Sequence, residues 1–169
     1  MRRSHAGLLN GIDRSIALAG DEDACAQRRA SVSRWSVQQQ LEHLLLTDRV
    51  ILAWLHAVAK GMIASDGLGG PTWRGHVVIG IGFIPRGKGR APDVTRPDGM
   101  ELPTIRSGFG EVQDQVKALA DLLPTLAADS CTRRHPALGY FTPPRWLRFA
   151  QVHHRHHGKI IRDILKATR

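Results

Sequence analysis

From Val37 to Met62 the chain reads VQQQLEHLLLTDRVILAWLHAVAKGM, with neither glycine nor proline before Gly61. A stretch this long without a breaker has one regular solution, a helix, because Gly and Pro are the residues that interrupt one. Ser36, followed three residues later by Gln39, makes a capping box at its start. The hydroxyl and the amide satisfy N–H groups that have no partner inside the helix. The helix is apolar nearly all round. Val37, Leu41, Leu44, Leu45, Ile51, Leu52 and Leu55 form one wide face, and Leu46, Val50 and Trp54 form a second. A helix apolar on both sides must be covered on both sides, inside a bundle or at a subunit contact. That requirement points to an all-α fold.

The other periodic segments agree with this. Leu8, Leu9, Ile12 and Ile16 share one side of a helix predicted over 3–19. Residues 20–34 read as a polar connection or a short extra helix. Phe109, Val112, Val116, Leu119 and Leu123 share a face of a helix over 109–128, which Pro124 should bend. Thr142 as N-cap with Pro143 at the first helical position opens the last helix, over 143–167. With the long helix over 36–60, these four have the lengths and spacings of a four-helix bundle. Between its second and third helices lies residues 65–108, rich in Gly and Pro. The run HVVIGIGFIP within it reads as a strand or extended segment, and the rest as loop. A loop this long is usually functional or a lid over the open end of the bundle.

A chain of 169 residues suits one domain, here 1–169. It can bury a core without disulfides, so Cys25 and Cys131, which form no C-x-x-C pair, are expected to be reduced thiols. No apolar run reaches membrane-span length, and the basic N-terminus lacks the apolar core of a signal peptide, so a cytoplasmic location is expected. The formal net charge of +9 invites a nucleic-acid reading. However, Arg148, Arg155, Lys159, Arg162 and Lys166 recur at helical spacing, as on the solvated back of an amphipathic helix, and no nucleic-acid motif accompanies them. Nucleic-acid binding is therefore set aside.

The histidines carry the chemistry. Four of the nine fall between Gln151 and Gly158. At ~100° per residue, Trp146, Phe149, Ala150, Ile160 and Ile164 point one way, toward the core. His153 and His157 fall inside this stripe one turn apart, and His156 lies on its margin. His154 points well away. Two buried imidazoles need polar partners on both ring nitrogens, and a shared cation satisfies one nitrogen of each. The i, i+4 spacing is that of helical metal-binding pairs. The third ligand should come from a neighbouring helix. His43 sits on the Leu46, Val50, Trp54 face of the long helix, and His56, on another face, is its competitor.

At this point the residues match a known family. The run WSVQQQLEH ending at His43 resembles the second-helix signature of the DinB-like superfamily. The run HHRHH from His153 to His157 resembles its fourth-helix H-x-x-x-H signature. GFIPRGKGRAP from Gly82 to Pro92, the pair Pro103-Thr104, and HPALGYFTPPRW from His135 to Trp146 look like a DinB-related domain of unknown function. The resemblance extends from about Trp35 to Ile164, with Gly158-Lys159 standing where a polar run ending in Gln is more usual. It implies an up-down-down-up four-helix bundle, often a homodimer, with a metal triad on His43, His153 and His157. Some relatives are transferases or isomerases that use low-molecular-weight thiols.

Three neutral imidazoles suit a divalent ion, zinc or nickel first, with cobalt or iron also compatible, and they leave positions open for water or substrate. Two function classes follow. One is a metal-dependent transferase or hydrolase acting on a small molecule. The other is a non-catalytic module whose metal holds two helices together. No general base stands out, and Glu42 and Asp48 read as structural. The near-Walker run from Gly82 to Gly89 lacks the terminal hydroxyl, and Pro92 and Pro97 forbid the helix it needs. Arg86, Lys88 and Arg90 are candidates for covering the metal and binding an acidic group of a substrate.

Overall fold

The expected all-α class holds. A computed structural model, which describes residues 1–87 and 90–167, is 63% helix with little strand. The helices are α1 (Arg2–Leu18), α2 (Glu22–Ala26), α3 (Val37–Ala59), α4 (Trp73–Ile81), α5 (Leu102–Ala118), α6 (Leu123–Ala128) and α7 (Pro143–Lys166). A 3-10 turn occupies Asp93–Thr95, and a two-stranded antiparallel hairpin pairs β1 (Arg133–His135) with β2 (Gly139–Phe141). No described helix is long and apolar enough to cross a membrane.

The long helix starts where its capping box places it. Ser36 Oγ accepts from the Gln39 N–H at 3.2 Å, and Gln39 Oε1 accepts from the Ser36 N–H at 3.0 Å. Fourteen of the 23 residues of α3 are buried, because the helix is covered by α5 on one side and α7 on the other. In turn, α1 packs on the same two helices. Close approach of α1 to α7 depends on Gly11. A Cβ there would meet the His154 ring at 2.8 Å. Thr142 takes the N-cap position of α7 as expected, with prolines filling the first turn, although its hydroxyl makes no capping bond.

Three expectations need correction. The segment from His76 to Pro85 is not a strand: most of it belongs to α4. Its β-branched residues favour a strand only weakly, and both ends are capped. Thr72 Oγ1 accepts from the Gly75 N–H at 3.2 Å, and Gly82 ends the helix with φ +72, a conformation that suits glycine. The helix predicted over 109–128 begins at Leu102, after Glu101 and with Pro103 in its first turn, and breaks after Ala118. It restarts as α6 with Pro124 in the first turn, so Pro124 opens a new helix instead of bending an old one. The stretch 65–108 accordingly holds α4, the 3-10 turn and the start of α5.

The basic face of α7 is also less solvated than its spacing suggests. Arg148 Nε donates to the Ile79 carbonyl at 3.3 Å, and Arg155 Nη2 to the Gly82 carbonyl at 3.0 Å. Both guanidinium groups thus meet the negative end of α4, where free carbonyls and the helix dipole favour cations.

Candidate metal centre

His43 comes from the second turn of α3, and His153 and His157 come from adjacent turns of α7. All three are buried, at 6%, 7% and 6% relative exposure. Their ligand nitrogens converge within 4.8 Å of one another, as a metal site requires. His153 Nε2 lies 3.2 Å from His43 Nε2 and 3.1 Å from His157 Nε2.

The surrounding bonds decide where the protons sit. His43 Nδ1 donates to the Thr95 carbonyl at 2.6 Å, which can only accept. His157 Nδ1 donates to Gln40 Oε1 at 2.5 Å, and the Gln40 amide is itself oriented by donating to Ser33 Oγ at 2.9 Å. A neutral imidazole carries one proton, so the Nε2 atoms of both His43 and His157 present bare lone pairs to His153. A single N–H on His153 Nε2 could serve only one of them well, and its buried Nδ1 has no hydrogen-bond partner among the described residues in either tautomer. A cation at the convergence point satisfies all three Nε2 atoms together. Ligand bonds of about 2.0–2.1 Å would place nitrogens about 3.3–3.4 Å apart in a tetrahedron and about 2.9 Å apart in an octahedron. The two separations from His153 fall between these values.

The electrostatics keep the ligands neutral. Burial lowers the His43 imidazole below its ordinary 6.5, with the Thr95 carbonyl and the Asp48 charge pulling the other way. Burial pushes His153 and His157 well below 6.5, reinforced by the neighbouring imidazoles. Neutral imidazole is the form that coordinates metal.

α3 also fixes the segment that covers the site. The Glu42 carboxylate accepts from the backbone N–H groups of Asp98 at 2.7 Å and Gly99 at 3.2 Å. Gln38 Nε2 donates to the Met100 carbonyl at 2.8 Å. Glu42 is therefore structural, and the anchored chain presents the Thr95 carbonyl to His43.

His154 points away from the cluster, as expected. It is 4% exposed, and its Nε2 pairs with Asp48 Oδ2 at 2.6 Å. It lies off the His153 and His157 stripe, on the side of α7 that α1 covers at Gly11, with Asp48 of α3 bonded to it and the Phe109 ring 6.4 Å away. His56 is not at the centre, because its Nε2 reaches the Gln115 carbonyl of α5 at 3.2 Å.

A cavity of about 880 Å³ runs from the exposed side chains of Trp73 and Val94 inward to the three histidines. All four tryptophans of the chain line it. Arg90 lines it too. Arg86 is not on the wall, since it is bound to Asp163 at 2.7 Å, and Lys88 lies outside the described residues. The hairpin adds Arg133, Arg134 and His135, which sequence reasoning did not select. Strands of three residues are too short to show a periodicity. Burial pushes His135 down to about 4, and its Nδ1 accepts from the Ala137 N–H at 3.2 Å, so the ring is neutral near pH 7 with its proton on Nε2.

A family model described as the DinB superfamily matches residues 13–161. No curated protein and no solved structure matches the chain.

Proposed function

The chain belongs to the DinB superfamily, and from that premise we propose that it is a metal-dependent enzyme, a transferase or hydrolase acting on a small molecule. The observation that carries this is the cavity of about 880 Å³, because it ends on the three histidines. A metal that only held α3 and α7 together would need no such space beside it. The volume lies in the range of small-molecule sites, about 300–1,000 Å³. A divalent ion on His43, His153 and His157, zinc or nickel first, would supply Lewis acidity that lowers the pKa of a water or thiol at its open side.

The protein's own groups do the rest. Gln40 and the Thr95 carbonyl hold two imidazoles in the tautomer that faces the centre. Trp35, whose ring lies 5.0 Å from that of His43, helps to exclude water from one side. The proposal takes α1, α3, α5 and α7 as the four helices of an up-down-down-up bundle, supported by the way α1 and α3 each pack on both α5 and α7. The homodimer implied by the resemblance belongs to the same proposal. Exposed Ile81 and Phe83, at 72% and 54%, offer apolar surface for it to cover.

The test is to load the purified protein with zinc or nickel and screen it for thiol transfer and for ester hydrolysis. Turnover by the loaded protein, absent from the metal-free protein and from His43→Ala, is expected. A protein carrying one ion per chain but inert in both assays would contradict the enzyme and leave the metal site standing.

A further inference from the structure

The lining of the cavity is unbalanced in charge. Arg74, Arg90, Arg133 and Arg134 are among its lining residues, and no aspartate or glutamate is among the described ones. Their engagements are slight. Arg133 Nη1 lies 3.4 Å from the Val50 carbonyl, a long contact that leaves most of its donors free. The Arg74 guanidinium lies over the Trp73 ring at 5.3 Å. Neither the Arg90 nor the Arg134 guanidinium has an ion-pair partner among the described residues. Asp66, a carboxylate bonded to the hairpin, accepts the backbone N–H of Arg134 at 3.2 Å and does not line the cavity. Cations gathered on low-dielectric walls raise the local concentration of anions, and guanidinium forks match carboxylate and phosphate oxygens. Apart from its histidines and two threonines, the remaining wall is mostly apolar, built on the four tryptophans with Phe149, Ile51 and Val78.

We infer that the cavity takes a small anion with an apolar or aromatic body, its carboxylate or phosphate drawn to the arginines of the wall, Arg133, Arg134 and Arg90, and its body against the tryptophans. This rests on the cavity being the substrate site proposed above and narrows that substrate to a class.

Because every tryptophan of the chain lines the cavity, intrinsic fluorescence reports its occupation. Metal-free and zinc-loaded protein, with metal content measured separately, is titrated with phenylbutyrate, phenyl phosphate, phenylbutanamide and phenylbutylamine. Phenylbutyrate or phenyl phosphate is expected to bind about tenfold or more tighter than the amide, as one charge-assisted contact requires, and the amine weakest. The two anions tell a carboxylate site from a phosphate site. The preference is expected in the metal-free protein too, which separates the arginines from the metal as its source. Arg134→Gln, at an exposed position, and Arg133→Gln should each reduce it, while Arg162→Ala on the outer face of α7 should not. Thermal melts confirm that each variant is folded. Equal affinity for acid and amide, no binding of either anion, or a preference that survives the Arg133→Gln/Arg134→Gln double variant overturns the inference. Absence of the preference in the unmodified protein with normal metal loading defeats this inference alone. A preserved preference in a protein that loads no metal defeats the metal reading alone.

Discussion

The Nδ1–H of His157 donates to Oε1 of Gln40 at 2.5 Å, and this bond turns the bare Nε2 of His157 toward His153. Gln40 is 1% exposed and lies one turn before His43 on α3, so one helix supplies a ligand and the group that orients another. Gln40→Ala should reduce metal affinity about 10–100-fold, the usual cost of losing such a support. Gln40→Glu keeps an acceptor and should recover much of it. Competition with a chelator of known affinity measures both.

His154 and Asp48 form a pair that is structural and separate from the triad. His154→Ala should leave metal content unchanged and yet destabilise the fold by about 3 kcal/mol or more, because it strands the Asp48 carboxylate in the interior. Urea titration of the metal-free protein reads the loss. Metal loss in His154→Ala with no loss of stability would reverse the assignment.

The long helix, its cap and the inward His153/His157 pair were legible in the sequence because each rests on local rules: the absence of breakers, a Ser-x-x-Gln cap, and an i, i+4 pair on an apolar stripe. The burial of His154 was not, because helix periodicity gives a direction along α7 but not which helix covers it. Gly11, which lets α1 approach, acts across the fold and not along the chain. α4 was missed for the opposite reason, since caps at Thr72 and Gly82 outweighed a β-branched interior. The arginines of the hairpin reach the cavity only through tertiary contacts, and no local pattern marks them.

Two glycines should respond in opposite directions to alanine. Gly11→Ala forces a Cβ against the His154 ring, which Asp48 holds in place, and should cost about 1–2 kcal/mol after the gain in helix propensity. Gly110→Ala in α5 would meet nothing within 4 Å among the described residues and should gain about 0.5–1 kcal/mol. Chemical denaturation of the two variants gives both signs.

Stability of the metal-free protein should fall as pH drops below about 6.5. His135, pushed down to about 4 by burial, stays neutral in the fold while the unfolded chain takes up a proton. The stability it permits is complete above pH 6.5 and is lost progressively toward pH 4. His135→Phe should remove up to about 1.4 kcal/mol per pH unit of slope across that window. An unchanged slope in melts from pH 7 to pH 4 would show that the ring is not held neutral.

Metal stoichiometry of purified single variants bears most directly on the central claim. After incubation with excess zinc and removal of free ion, the unmodified protein should retain one ion per chain. His43→Ala, His153→Ala and His157→Ala should each lose most of it, while His56→Ala and His154→Ala retain it. Full stoichiometry in His157→Ala, or an unmodified protein that retains no ion, would contradict the triad and leave three buried histidines with a purely structural role.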